Sequence, residues 1–293
     1  MFLRDHSRES LPLEEVGCAL CGRDGGIPEH REGNYRMLRC PRCGLRYANP
    51  RPTAEGVAEL YTRYLPEGDG EAGDWDRAMG RVFEVAAQWI ERALGQPGRL
   101  LDVGCGFGGF LEAMERRGWR VSGIDPSPRA VERARARLRR GSVRRGVFPD
   151  DLPGGERFDA IAAFYVLEHV RDPVGFVRAA FGALDPGGAL LVRVPHTAPL
   201  KRALGWLRIP NRLYDLPAHL QDYSPAVMRR LLAGAGFAEA RAFLGGATRF
   251  GGPTRKAFSA LAGAGGEATF LASGGRWILP GLSYSVLARK PAP

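Results

Sequence analysis

The sequence has no apolar run as long as a membrane span, and its first ten residues, MFLRDHSRES, lack the apolar core of a signal peptide. These two absences exclude a helical membrane protein and a secretory leader, so we expect a cytoplasmic protein. Cysteine is scarce, at five residues in 293. A chain of this length is long enough for one sizeable domain and a small one.

Acidic residues are fewer than basic ones, 32 against 42, which gives a formal net charge of +10. Such an excess would suit nucleic acid or an anionic membrane surface. The densest basic run, Arg129 to Arg145, includes a predicted helix with an apolar stripe of Val131, Ala134 and Leu138. Because the arginines lie on the other side of that helix, a solvated helix face is the favoured explanation, and nucleic acid is the weaker alternative.

Four of the five cysteines form two C-x-x-C pairs, Cys18 with Cys21 and Cys40 with Cys43. Each such turn directs two thiolates at one point, and four thiolates complete a closed tetrahedral shell for zinc. Disulfides or free thiols are the alternative, and a cytoplasmic location disfavours disulfides. The spacing therefore predicts a structural zinc ribbon with no open position for catalysis.

The stretch from Arg99 to Pro126 has the order strand, glycine loop, helix and strand. An apolar run, Leu100 to Val103, predicts a buried parallel strand, and Trp119 to Ile124 predicts the next one. The loop between the first strand and the helix contains Gly104, Gly106, Gly108 and Gly109. Glycines let a ligand approach the backbone, and Asp125 is placed to accept hydrogen bonds from two ribose hydroxyls. A nucleoside-bearing cofactor is therefore predicted.

The glycine spacing alone does not identify the cofactor, because Gly104-x-Gly106-x-x-Gly109 also fits the dinucleotide fingerprint. Asp102, at the strand end before the first glycine, is of no use to a pyrophosphate but suits an aminoacyl ammonium. No second phosphate-binding loop is evident. A nicotinamide cofactor is thus the alternative to one with an amino-acid tail.

The segment LLDVGCGFGG resembles the first motif, D-x-G-x-G-x-G, of the class I S-adenosylmethionine-dependent methyltransferases. Four later segments resemble other family motifs: FDAIAAFYVLEHVRDP, LDPGGALLVRVP, HLQDYSPAVMRRLLAGAGF and YSVLARK. The resemblance runs from Leu100 to Arg289 and is nearest to the group of ubiquinone-pathway O-methyltransferases and sugar methyltransferases. It implies S-adenosylmethionine as cofactor, with a predicted binding set of Asp102, Gly104, Cys105, Gly106, Gly108, Asp125, Pro126, Phe148 and Phe164.

Strands and helices alternate beyond Asp125, as a parallel sheet requires. The resemblance implies a doubly wound α/β fold with a seven-stranded, mostly parallel, Rossmann-like sheet. Predicted strands are Ser142 to Phe148, Phe158 to Phe164, Ala189 to Val194, one starting at Gly236, and Leu282 to Ala288. Predicted helices are Glu55 to Tyr64, Trp75 to Leu94, Asp172 to Leu184 and Ser224 to Ala235. We divide the chain into a zinc-ribbon module with a linker helix, residues 1–70, and a methyltransferase domain, residues 71–293.

Two long segments depart from the family pattern. Thr197 to Gln221 includes Trp206 and Tyr214 and is predicted to be a lid over the cleft. Gly245 to Pro280 is far longer than a hairpin needs, and it is either a surface excursion or a partner site.

Methyl transfer from a sulfonium is an in-line displacement, so the protein mainly positions and desolvates the reactants. A base helps if the acceptor is a hydroxyl. His169 is the favoured candidate, because it follows the fourth strand of the predicted sheet at its carboxyl end; His196 and His219 are weaker candidates. A structural hydrogen bond is the alternative role for each. Glu168-His169 also resembles a divalent-metal pair of some relatives, but Tyr165 stands where they carry a further acid.

The expected function is methyl transfer to a small molecule, a sugar or a secondary metabolite. The zinc ribbon followed by N-P-R-P resembles the amino-terminal module of bacterial methyltransferases that act on such acceptors. An RNA methyltransferase is the alternative enzyme, since some ribosomal RNA guanine methyltransferases place a zinc module before this fold. A non-catalytic, cofactor-binding protein is the third possibility. The sequence indicates neither the oligomeric state nor O-, N- or C-methylation.

Overall fold

The computed structural model describes residues 11–64, 69–197, 200, 206–207, 214–245, 264–273, 278 and 283–292. Its first elements are β1 (Leu13–Glu14), β2 (Ile27–Glu32), β3 (Tyr35–Arg39), β4 (Arg46–Ala48), β5 (Arg51–Pro52), α1 (Ala54–Tyr64) and α2 (Asp69–Leu94). The alternating part follows with β6 (Arg99–Val103), α3 (Gly109–Arg116), β7 (Arg120–Asp125), α4 (Pro128–Arg137), β8 (Ser142–Arg145), β9 (Phe158–Phe164), α5 (Pro173–Ala183) and β10 (Leu184–Val194). The last labelled elements are β11 (Gln221–Asp222), α6 (Pro225–Gly234), β12 (Ala238–Phe243) and β13 (Tyr284–Arg289). About half of the predicted lid and most of the segment Gly245 to Pro280 lie outside the described residues.

The predicted seven-stranded sheet is confirmed, with the strand order β12-β13-β10-β9-β6-β7-β8. Its pairs from β10 to β8 are parallel, whereas β13 runs antiparallel to both β10 and β12. The order reverses between β6 and β9, because β7 and β8 extend the sheet on one side and β10 on the other. Ligands of doubly wound sheets bind at the carboxyl ends of the strands at such a reversal. The glycine loop after β6 lies there.

Both faces of the sheet are covered, so its strands are near-continuous apolar runs. On one face, α2 and α3 enclose Phe83, Phe110 and Phe164 in a hydrophobic cluster. On the other face, α5 and α6 pack over Ile161 and Leu190 in a second cluster. Fully burying a side chain of this size stabilises the fold by about 1.5–3 kcal/mol. Two independent clusters therefore hold the sheet between its helices.

In the described part of the chain, three predicted strand limits differ from the structure by two residues or more. The strand predicted to reach Phe148 ends at Arg145, since the Asp151 carboxylate binds the Val147 amide in a turn. β10 begins at Leu184 and not at Ala189, because Leu184 already pairs with Phe158 before a register shift. The strand predicted to start at Gly236 begins at Ala238. Gly236, with φ 100°, instead ends α6 by donating its amide to the Ala233 carbonyl.

A second sheet joins the amino-terminal part of the chain to the rest, with the order β11-β4-β3-β2. β11 is antiparallel to β4, and the partners are Gln221 with Tyr47 and Asp222 with Arg46. Helix α2 starts at Asp69 and so crosses the division between residues 70 and 71. That division remains a prediction. Strand β4, before the division, pairs with β11, after it, so the two parts pack against each other. Among the described helices, none has the length and apolar character needed to cross a membrane.

Candidate functional site

The glycine loop leaves β6 in a conformation that side chains rarely adopt. Gly104, Gly106 and Gly108 have φ values of 67°, 51° and 78°. A Cβ added at Gly104 would lie 2.5 Å from Cγ2 of Val166, whereas one at Gly106 would meet nothing within 4 Å. One side of the loop is therefore packed against the residues that follow β9. The other side is open to a ligand.

Asp125, the last residue of β7, accepts hydrogen bonds from the glycine loop and from the residue that caps α4. Its Oδ2 accepts a hydrogen bond from the Gly106 amide and its Oδ1 from the Ser127 amide, both at 2.9 Å. Burial raises the pKa of this carboxyl, whereas the two hydrogen bonds lower it, and burial is the larger effect. Each carboxylate oxygen can accept a further bond. Asp125 can therefore also accept the two hydroxyls of a ribose.

Asp102 on β6 has a buried carboxyl, and its Oδ1 has no hydrogen-bond partner among the described residues. Burial raises its pKa well above the usual range, and the charge of Asp125 adds to that rise. A buried carboxylate without a partner is costly unless a cation or donor reaches it. The ammonium of an aminoacyl group would supply both. Asp102, the open glycine loop and Asp125 thus fit S-adenosylmethionine.

The other residues of the predicted cofactor set occupy varied positions. Cys105 is buried next to Gly123, where an added Cβ would lie 2.8 Å from its sulfur, and burial raises its pKa. Pro126 is exposed. Phe164 packs edge-on against Phe83 and Phe110, and Phe148 packs edge-on against Phe176 in the opposite cluster. Their contact with the cofactor remains a prediction.

His169 ends a single 3-10 turn, Leu167–His169, which follows β9 at the carboxyl edge of the sheet. Its Nδ1 lies 2.8 Å from the carbonyl oxygen of Ala218. A carbonyl only accepts, so Nδ1 carries the proton and Nε2 is the basic atom of the neutral ring. Burial lowers the pKa of His169 to about 4, against the opposing effect of the Ala218 bond. The ring is therefore neutral at physiological pH.

Glu168 and His219 lie beside His169, and one ligand atom from each of the three lies within 4.8 Å of the others. The rings of His169 and His219 are 4.8 Å apart, edge to face. The carboxyl of Glu168 is fully buried, and neither oxygen has a hydrogen-bond partner in the described part of the chain. Burial raises the pKa of Glu168 to about 8, which favours its protonated form at neutral pH. The sequence marks all three residues as candidates but does not show that they meet.

Tyr165, the first residue after β9, is bonded to a buried arginine on β10. It has φ 57°, and its hydroxyl accepts a 2.9 Å hydrogen bond from Nε of Arg193 on β10. The guanidinium also lies 5.6 Å from the centre of the tyrosine ring. Arg193 is only 1% exposed and donates to Leu244 and Ser285 as well. Sequence reasoning missed this arginine, whose signal is one charge within the apolar run ALLVRV.

His196 and Asp222 add two more buried polar side chains at the end of β10. Asp222 accepts from the amide and hydroxyl of Thr197 through Oδ2, at 3.0 and 2.5 Å. Its Oδ1 and the Nδ1 of His196 have no partner among the residues described. Burial lowers the pKa of His196, although the charge of Asp222 opposes this. The carboxyl edge of β9 and β10 thus carries several polar atoms that a polar ligand can satisfy.

The four predicted zinc ligands converge in the amino-terminal part. The sulfurs of Cys18 and Cys43 are 3.4 Å apart and those of Cys21 and Cys40 are 3.6 Å apart. A tetrahedral zinc site with 2.3 Å bonds separates its sulfurs by about 3.8 Å, so the four thiols fit zinc closely. Burial opposes ionisation of Cys40, but the amides of Cys43 and Arg42 and the neighbouring thiols lower its pKa to about 7. Such a site is closed and structural.

Several known proteins are similar to this chain in sequence. A family model described as a methyltransferase domain matches residues 79–240. A ubiquinone biosynthesis O-methyltransferase of Methylobacterium sp. (strain 4-46) is 34% identical over 140 residues, covering 46% of this chain and 56% of that protein. The same enzyme of Xanthomonas campestris pv. campestris (strain B100) is 38% identical over 143 residues, covering 44% and 59%. The chain thus spans less than two thirds of these relatives.

Solved structures resemble the fold at low sequence identity. The 1,6-didemethyltoxoflavin-N1-methyltransferase of Burkholderia thailandensis, with 1,6-didemethyltoxoflavin and S-adenosylhomocysteine bound, has a TM-score of 0.55 at 16% identity, covering 90% of this chain and 99% of that one. A plantazolicin methyltransferase in complex with a substrate analogue and S-adenosylhomocysteine has a TM-score of 0.54 at 14% identity, covering 80% and 93%. The family match spans more than half of the chain, and the strand order and glycine loop agree with it. The chain therefore belongs to the methyltransferase domain family, with the class I S-adenosylmethionine-dependent fold and an amino-terminal zinc ribbon.

Proposed function

We propose that this protein transfers a methyl group from S-adenosylmethionine to a hydroxyl of a small molecule, a sugar or a secondary metabolite. The observation that carries the proposal is the buried Oδ1 of Asp102, which has no hydrogen-bond partner among the described residues. It lies just before the glycine loop, whose Gly106 amide donates to Asp125. The similarity to ubiquinone biosynthesis O-methyltransferases supports a hydroxyl acceptor. When bound, S-adenosylmethionine supplies a methyl group already activated by its sulfonium.

The chain's own contribution to such a reaction is to bind, orient and remove a proton. Asp102 would hold the ammonium of the cofactor and Asp125 its ribose. His169 is the proposed base: its Nδ1 is bonded to the Ala218 carbonyl, so Nε2 is the basic atom of the ring and the one that would take the acceptor's proton. Val166 packs on Gly104, so the turn that carries His169 directly follows the wall of the cofactor loop. His169 follows Val166 by three residues, and this closeness to the glycine loop supports it as the base.

The three residues Glu168, His169 and His219 also have the donor types of a divalent-metal site. Two nitrogens and a carboxylate would suit zinc or another first-row ion. In that case the Glu168 carboxyl would ionise on binding. Elemental analysis that finds only one metal ion per chain in the active protein, the zinc of the four cysteines, together with loss of methyl transfer in His169→Asn, would support the histidine as a base without metal.

The structure gives less support to RNA as the acceptor. Within the basic run, Arg137 pairs with Asp76 at 2.5 Å and with Glu112 at 2.6 Å, and Arg144 pairs with Glu156 at 2.7 Å. These charges are partly neutralised inside the protein. Their use in ion pairs favours the solvated helix face over a surface that binds phosphates. If RNA were nevertheless the acceptor, its affinity would fall steeply with salt.

The test uses the full chain with S-adenosylmethionine labelled in its methyl group. Panels of phenols, sugars and secondary metabolites are compared with bulk RNA as acceptors. We expect label in a small molecule, and Asp125→Ala should weaken binding of S-adenosylhomocysteine by about 2–3 kcal/mol, since it removes charge-assisted acceptors. Glu156→Ala, which removes a carboxylate paired with Arg144, is the matched control and should bind normally. Label found only in RNA, or equal binding by the Asp125 variant, would contradict the proposal.

A further inference from the structure

The segment from Tyr214 to Asp222, called here the 214–222 segment, lies between the zinc ribbon and the turn that carries His169. On the ribbon side, its last two residues form β11 and pair with β4. The Ala48 amide of β4 also donates to the Leu220 carbonyl at 2.8 Å. These backbone bonds attach the segment to the ribbon as one more strand of its sheet.

A buried carboxylate of the ribbon makes a second attachment. Glu32 ends β2 and is 6% exposed, and its Oε2 accepts a 3.1 Å hydrogen bond from the Leu216 amide. Its other oxygen lies 3.3 Å from Nε2 of His30. The side chains of Tyr214 and Leu216 complete a small buried cluster with three ribbon residues, Tyr35, Met37 and Ala48. The beginning of the segment is therefore fixed by polar and apolar contacts together.

The opposite side of the segment contacts the candidate catalytic turn. The Leu220 amide donates to the Glu168 carbonyl at 2.7 Å, and the Ala218 carbonyl accepts from Nδ1 of His169 at 2.8 Å. The ring of His219 packs edge-on against the ring of His169. A segment held by the ribbon thus decides which nitrogen of His169 carries the proton and how its ring is oriented.

We propose that the zinc ribbon is a positioning element for His169, and that Glu32 is a positioning residue that acts through the Leu216 amide and the Ala218 carbonyl. The inference rests on the proposed function in that His169 is taken as the base. If the segment moves away, the bond at Nδ1 is lost and the ring can take the other tautomer, in which Nε2 is protonated and unable to accept a proton. Replacing a residue that orients a functional side chain through hydrogen bonds commonly lowers activity 10- to 100-fold.

Two substitutions of Glu32 separate positioning from a general loss of fold. Glu32→Ala removes the acceptor for the Leu216 amide, while Glu32→Gln keeps an oxygen there and should restore function. In Glu32→Ala we expect kcat to fall about 10-fold or more, with S-adenosylhomocysteine affinity unchanged within about twofold. The matched control is Glu15→Ala, because Glu15 is an exposed ribbon carboxylate whose ion pair is with Arg36, and it should behave as the wild type.

The decisive readout is the imidazole of His169 in nitrogen-15 spectra of the full chain, assigned with His169→Asn. We expect a single tautomer protonated at Nδ1 in the wild type, Glu32→Gln and Glu15→Ala, and a mixture in Glu32→Ala. An unchanged tautomer in folded Glu32→Ala would overturn the proposal. This readout does not need activity: if His169→Asn transfers methyl groups normally while the tautomer still responds to Glu32, the base assignment fails and the positioning stands.

A hydrogen-exchange measurement on the wild type covers the case in which Glu32→Ala does not fold. The Leu216 and Leu220 amides should open with the same free energy as the amides of β3 and β4, and zinc chelation should release all of them together. Exchange of Leu216 and Leu220 that is independent of the ribbon strands would contradict the proposed attachment.

Discussion

The proposed cofactor half of this site lies mainly in one stretch of chain, residues 99–127, while the proposed acceptor half gathers residues from the ribbon, β9, β10 and the 214–222 segment. In the cofactor half, burial raises the pKa values of the Asp102 and Asp125 carboxyls, so a ligand that brings a cation or hydrogen-bond donors would stabilise their ionised forms. In the acceptor half, burial lowers the pKa values of His169, His196 and His219 and raises that of Glu168, so neutral groups predominate. The cofactor half therefore favours a cationic ligand, whereas the acceptor half holds or moves a proton among groups that are mostly neutral.

The largest expected effect is on the ribbon, which supports the acceptor half. Cys40→Ser should abolish zinc binding and the amide protection of β2 to β4, because apparent zinc affinities of such sites are about 10–16 kcal/mol and supply the folding energy of the module. Elemental analysis and hydrogen exchange measure the two losses. Cys105→Ser, a change in the cysteine that is not a ligand, should keep one zinc per chain. Freshly purified, reduced wild-type protein without zinc would contradict the assignment.

The next largest effect is the pH dependence of stability that the buried carboxyl of Glu168, in the acceptor half, should cause. The folded-state pKa of Glu168 is raised to about 8, so between its ordinary value of 4.5 and about 8 the folded chain holds a proton that the unfolded chain has lost. The free energy of unfolding should therefore fall as pH rises through this window, by a few kcal/mol at most. Glu168→Gln lacks this titration and should gain stability relative to the wild type as pH rises.

Denaturant unfolding of both proteins at pH 5, 7 and 8.5 tests the sign. His169 acts in the opposite direction, because its lowered pKa of about 4 destabilises the fold as pH falls below its ordinary value of 6.5. That effect should be present in both proteins and largely cancel in their difference. Parallel pH profiles of the two proteins would show that Glu168 is not protonated in the folded state.

The smallest effect compares the helix caps next to each half. Ser127 caps α4 beside Asp125 by accepting from the Ala130 amide, and Asp172 caps α5 beyond the His169 turn by accepting from the Gly175 amide. Replacing either by Ala should lower the free energy of unfolding by about 1 kcal/mol, measured from denaturant midpoints. Since neither residue belongs to the proposed cofactor-binding set, cofactor affinity should not change. A large loss of affinity in Ser127→Ala alone would extend the cofactor half into α4.

The contrast between the halves also explains how much of the molecule could be predicted. Asp102, the glycines and Asp125 lie within one strand–loop–helix–strand unit, and the four cysteines lie in two short turns, so residue type and local spacing together indicate their chemistry. The individual strands follow from apolar runs that alternate with helices, and their assembly into one seven-stranded sheet follows from the family resemblance. The helix caps Asp172 and Ser224 are also visible as polar residues directly before a proline.

The acceptor half could not be assembled from local patterns, because its contacts join residues far apart in sequence. The bond between Glu32 and Leu216 depends on how the ribbon docks, and no periodicity reports docking. The same holds for the approach of His219 to His169. The strand limits that were wrong were decided by a turn at Val147, a register shift after Leu184 and a helix end at Gly236, all of them local backbone choices that apolar patterns do not resolve.

The most direct test of the division into two halves is a calorimetric titration of S-adenosylhomocysteine into the full chain before and after zinc removal. The proposed cofactor half lies mainly in residues 99–127 and contains no ribbon residue. We therefore expect the two dissociation constants to be equal within about threefold, a difference below about 1 kcal/mol. Methyl transfer should be lost on zinc removal. An affinity that collapses on zinc removal would contradict this account, because it would show that the ribbon is needed to form the cofactor site itself.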